Sequence, residues 1–202
     1  MIGRQSFFAV AAALAMVSTA AAYGPTWEPT YPTSYPYGVW GQQTKAEGST
    51  TDAWVDAVDQ YLFVQESVDE MDSAYTDLAD LLDDYVINSG FDDQDAIDAA
   101  EDILDQAWQD RYVTGNPTLE DDLDYLDASA TWEGPQTHFE DGMSAVGVAY
   151  WSGELDDAET EFAAIEARGV TAKSKADDIK ADCLAGIDPL VAAFDAWQAA
   201  QE

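Results

Sequence analysis

From Thr51 to about Val86 the apolar residues fall at Trp54, Ala57, Tyr61, Val64, Val68, Met71, Tyr75, Leu78, Leu82 and Tyr85, with steps of three and four strictly alternating. This is the a/d seam of a long helix made to lie along other helices, and nearly everything off the seam is acidic or small. A cap at Thr50 or Thr51 with Asp52 in the first turn begins this helix, and Asn88-Ser89-Gly90 ends it. A second helix is predicted from about Asp92 to Val113, with Ile97, Ala100, Leu104 and Ala107/Trp108 inward, broken by Thr114-Gly115-Asn116-Pro117. A third, from Thr118 to about Ala128, carries Leu119, Leu123 and Leu126 on one side.

Thr137-His138-Phe139-Glu140 fits a capping box. The helix it opens shows Phe139, Met143, Val146 and Tyr150, then Leu155, Ala158, Phe162 and Ile165. Gly142, Gly147 and Gly153 weaken it, and either admit a close helix crossing or mark a break near Ser152-Gly153; another interruption is expected at Arg168-Gly169. Ala176, Ile179, Cys183 and Ile187 form the next stripe. Asp188-Pro189 then reads as the cap and first-turn proline of a last helix with Leu190, Phe194 and Trp197, or as a kink in one continued rod. No segment alternates with period two, so no strand is predicted. The fold expected is all-α: an elongated antiparallel helical bundle or coiled coil, forming one acidic domain over residues 50–202.

Two segments precede it. Residues 1–22 combine Arg4, an apolar run from Phe7 to Val17 and Ala20-Ala21-Ala22, the pattern of a secretory signal peptide and too short an apolar run to span a bilayer. Residues 23–49 interleave prolines 25, 29, 32 and 36 with Trp27, Tyr31, Tyr35, Tyr37 and Trp40, favouring an extended path. This stretch is either a flexible linker or an aromatic arm lying in a groove of its own bundle or of a neighbouring subunit.

Charge changes the picture most. There are 41 acids against 7 bases, a formal charge of −34, a field that repels nucleic acid and anionic membrane and attracts cations. Between Thr51 and Glu133 Arg111 is the single base. Carboxylates recur one turn apart at Asp80, Asp83 and Asp84, at Asp92, Asp93, Asp95 and Asp98, and at Glu120, Asp121, Asp122 and Asp124. Hard oxygens suit calcium, yet no stretch matches the calcium-loop pattern, so weak surface sites are expected and no cofactor is required. Arg168, Lys173, Lys175 and Lys180 cluster in one short stretch, which either pairs with acidic helices, of the same chain or of the next, or serves only as a local solubility feature.

Candidate chemistry is sparse. His138 is the only histidine and sits beside a capping threonine, where a structural role is expected. Cys183 is the only cysteine, lies on the core stripe, and is either buried or bridged to another chain. No phosphate loop, zinc spacing or nucleophile elbow occurs, so the chain is not expected to be an enzyme.

In composition the chain resembles matrix proteins that protists store in calcium-condensed secretory granules. The functional expectation is a secreted or granule-stored acidic helical structural protein. It would self-associate through its coiled-coil seams, or join related acidic helical chains, into a filament, lattice or matrix whose packing divalent cations modulate, with no membrane or nucleic-acid partner. The alternative is a monomeric bundle carrying an apolar ligand between aromatic-lined helices. A surface suited to concentrated salt would also account for the charge.

Overall fold

The computed structural model describes residues 46–129, 138 and 148–201. Residues 1–45, which hold the expected signal peptide and most of the expected arm, and the capping-box residues other than His138 lie outside the described residues. The described elements are a π-helical entry at Ala46–Thr50, then α1 (Thr51–Asp83) with a π-helical end at Asp84–Asn88, α2 (Gln94–Tyr112), α3 (Leu119–Ser129) and α4 (Val148–Gln201). Among the described residues there is no strand.

The first helix follows its seam. Ala57, Tyr61, Val64, Met71, Tyr75, Leu78 and Leu82 are buried, while Trp54, Val68 and Tyr85 keep partial exposure. Gly90, at φ +73°, turns the chain after α1, and Phe91 N–H donates to the Tyr85 carbonyl at 2.9 Å. Asp93 caps α2 by accepting from Ala96 N–H at 3.3 Å. The turn before α3 needs Gly115, at φ +100°, where a side chain would also meet the Pro117 carbonyl oxygen at 3.0 Å.

The last helix is not interrupted at Arg168-Gly169 as expected, nor does it break at Ser152-Gly153, and at Asp188-Pro189 it follows the reading of one continued rod. All 54 residues of Val148–Gln201 form one helix, through Gly153, Gly169 and Asp188-Pro189. The reason is a seam that never lapses: Leu155, Ala158, Phe162, Ile165, Gly169, Ala172, Ala176, Ile179, Cys183, Gly186 and Leu190 are all buried and alternate three and four apart. Ile187, expected on the stripe, is partly exposed because Gly186 holds the seam position. Pro189 is exposed, and the carbonyl it leaves without an N–H belongs to exposed Ala185, where water can satisfy it.

Where the sequence suggests one domain over 50–202, the helical residues sort into two compact units, and α1 and α4 contribute to both. The described parts of the first fall in Glu66–Glu120 and Lys173–Glu202. There α1 and α4 run parallel: Glu70 meets Lys180, Leu78 meets Gly186, and Tyr85 stacks on Phe194 at 3.7 Å between centroids. The second helix returns against both, bringing Arg111 to Asp72 and Ile103 to Gly186. The described parts of the second unit fall in Ala22–Gln65 and Asp121–Ala172. Again α1 and α4 are parallel, with Ser49 on Glu159 and Val64 against Gly169, while α3 returns, Asp122 reaching Arg168 and Asp127 reaching Tyr61. The antiparallel expectation therefore holds for α2 and α3 and fails for the pair of long helices. One intervening helix runs back in each unit, which leaves the flanking two pointing the same way.

Candidate functional site

The basic side chains show how the chain uses its few cations. Arg111 is 2% exposed; its NH1 donates to Asp72 at 2.5 Å, its Nε to Glu120 at 3.1 Å, and its guanidinium lies 5.3 Å from the centre of the Tyr112 ring. Burial pulls the Arg111 pKa down, Asp72 pushes it up further, and the net direction is upward, so this buried group stays a cation. Arg168 Nε donates to Asp122, with its guanidinium 4.7 Å from the centre of the Tyr125 ring. Lys173 pairs with Asp177 at 2.5 Å, Lys175 donates to the Pro117 carbonyl at 2.8 Å, and Lys180 pairs with Glu70. Each basic residue expected in interactions thus has a partner on its own chain.

The acidic sets are less uniform than their sequence suggests. Asp80, Asp83, Asp84, Asp92, Asp93, Asp95, Asp98, Asp121 and Asp124 are exposed. Several are occupied nonetheless: Asp84 accepts from Asn88, Asp98 from Gln94, Asp92 from the Trp197 indole N–H at 2.6 Å, and Asp93 caps α2. Glu120 and Asp122 are not open surface sites, since Glu120 is committed to Arg111 and Asp122 is fully buried against Arg168. Their place between helices, which spacing alone does not reveal, explains the difference.

Cys183 is fully buried as a free thiol, and burial, with Asp182 adding, pushes its pKa up to about 11. Tyr31, Tyr35, Tyr37 and Trp40 lie outside the described residues. Inside the first unit Tyr85, Phe91, Phe194 and Trp197 form an aromatic cluster with neighbouring centroids 3.7–6.3 Å apart.

The remaining cluster surrounds the lone histidine. His138 Nδ1 lies 2.6 Å from Glu154 Oε2, and its Nε2 lies 3.7 Å from Glu161 Oε1. One ligand atom each from His138, Glu154 and Asp157 falls within 4.8 Å of the others, and among the described residues no other group of three acids, histidines or cysteines does so. The hydrogen bond from His138 Nδ1 to the Glu154 carboxylate does most to raise the His138 pKa above its usual 6.5; burial opposes it and Glu161 adds to it. Glu161 Oε2 is shut from solvent without a hydrogen-bond partner. The available signal was the spacing Glu154, Asp157, Glu161 on one face of α4, which in so acidic a chain does not stand out.

A void lined by Met71, Asp72, Tyr75, Ala107, Trp108, Arg111 and Ile179 measures about 10 Å³, room for one water. Among the described residues no helix is long and apolar enough to cross a membrane. No protein-family model, no curated protein and no solved structure matches the chain.

Proposed function

We propose that the chain is an acidic helical structural protein, exported on the leader its first 22 residues resemble. Its copies, or related acidic chains, pack side by side under the control of divalent cations. The observation that carries this reading is the disposition of charge. Arg111, Arg168, Lys173, Lys175 and Lys180 are bonded within the chain, so the outward face is left to carboxylates. Such surfaces repel one another until counterions intervene. The a/d seams are filled by the chain's own helices, so contact between copies falls to outer positions, where Val55, Leu62 and Phe63 of α1 are 40%, 44% and 50% exposed.

Sedimentation of the mature chain tests the proposal. Sedimenting mass should rise with millimolar calcium, return to monomer with chelator, and rise less with sodium at matched ionic strength. A monomer under all three conditions would refute it, and equal action by sodium would reduce the charge to a response to bulk salt.

A further inference from the structure

The field of carboxylates explains attraction for hard cations in general, but not the imidazole set among three of them. Calcium takes oxygen ligands, whereas imidazole nitrogen suits zinc and the transition divalent ions. His138 presents Nδ1 to Glu154, with Asp157 one turn further along the same face of α4, and presents Nε2 toward Glu161. We propose that His138 Nδ1, Glu154 and Asp157 bind one divalent cation of the zinc class, with Glu161 as the carboxylate that orients the ring from behind.

Two features of the geometry support this assignment. The nitrogen and oxygen 2.6 Å apart need to part only to about 3 Å for one ion to bind both in place of the proton they share. A histidine ligand characteristically donates its second ring N–H to a carboxylate, and Glu161 Oε1, 3.7 Å from Nε2, would become that acceptor on closing to hydrogen-bond length. His138 is 35% exposed and Asp157 is exposed, so an ion can enter from solvent.

The single histidine makes the test specific, because its ring nitrogens give one reporter for the whole chain. The full chain, in excess magnesium to occupy the acidic surface, is titrated with zinc while the ¹⁵N resonances of the ring are followed. One equivalent should move Nδ1 far more than Nε2 and complete the change. His138→Ala and Asp157→Asn should each weaken zinc binding by calorimetry about 10- to 100-fold, while leaving the helical circular dichroism as it was. The proposal is overturned if the resonances stay put until many equivalents are present, or if both variants bind zinc as the parent does. Because Asp157 is exposed, its variant keeps the test valid even where the histidine variant folds poorly.

Discussion

Gly169 and Gly186 occupy seam positions in one helix, and replacing each with alanine should move stability in opposite directions. Intrinsic preference is the same for both: alanine in place of a mid-helix glycine gains about 1 kcal/mol. The neighbours differ. A Cβ at 169 would come within 2.6 Å of Gln60 Cγ, with Val64 at an ordinary 3.6 Å. Gln60 is partly exposed and its Nε2 is enclosed without a partner, so swinging that side chain outward breaks no hydrogen bond and lets the amide reach water. Gly169→Ala should therefore stabilise by about 0.5–1 kcal/mol.

A Cβ at 186 would meet Ile103 Cδ1 at 2.8 Å and Leu78 Cδ2 at 3.1 Å, and Leu78 is fully buried. Forcing a methyl into such packing costs about 1–3 kcal/mol, which exceeds the helical gain. Gly186→Ala should destabilise by up to about 2 kcal/mol. Urea unfolding followed by circular dichroism at 222 nm, with each variant beside the parent, measures both. If the two substitutions stabilise equally, helix preference alone governs these positions and the close approach at Gly186 is not a constraint.

Arg111→Met strands Asp72 and Glu120 and should cost about 2–3 kcal/mol, the modest end for a broken buried pair, because those side chains keep 20% and 28% exposure; a urea midpoint matching the parent's would contradict it. Phe91→Ala removes a ring that is 3% exposed and touches Tyr85, Phe194 and Trp197, so about 3 kcal/mol and much of the near-ultraviolet dichroism should go; an unchanged aromatic spectrum would argue against the cluster. Cys183, buried with its pKa pushed up to about 11, should resist a disulfide reagent at neutral pH until urea opens the chain, and prompt native labelling would count against that burial. Asp177 lies below its ordinary 3.8, first because Lys173 hydrogen-bonds it and then through Ser67 and Lys180. A depressed carboxylate contributes above its unfolded value and loses that contribution as pH falls through the folded one. Lys173→Met should therefore lower the melting temperature slightly at pH 7 and not at about pH 2, and a deficit persisting in acid would contradict the pairing.

The seam of α1 was legible position by position because Trp, Tyr, Val, Met and Leu mark it without a gap. In α4 the same rhythm runs from Leu155 to Leu190, but Gly169 and Gly186 stand at two of its beats and Pro189 beside a third. Read for apolar side chains, these positions interrupt the stripe; read for space, the two glycines are where another helix comes close, and at Gly186 its packed side chains leave no room for a Cβ. Helix direction was hidden for a different reason, since heptad spacing fixes which face is buried and is silent on which way the partner runs. The histidine cluster was out of reach because residue 138 and residues 154–161 meet only through tertiary packing.

The rarity of bases gives the few present a specific structural task. On the heptad set by Leu155, Lys173 and Lys180 fall at e, and Arg168 and Lys175 at g, the positions that flank a seam. Two of the four reach acids on another helix of their own unit: Lys180 takes Glu70 of α1, and Arg168 takes Asp122 of α3. Arg111, alone on α2, joins α1 through Asp72 and the start of α3 through Glu120. Apolar seams with a strict repeat tolerate a slip of seven residues, since one a or d residue then replaces another. Between α1 and α2 such a slip would set buried Arg111 against Gln65 or Ala79 in place of Asp72, so this one buried cation helps to select the register.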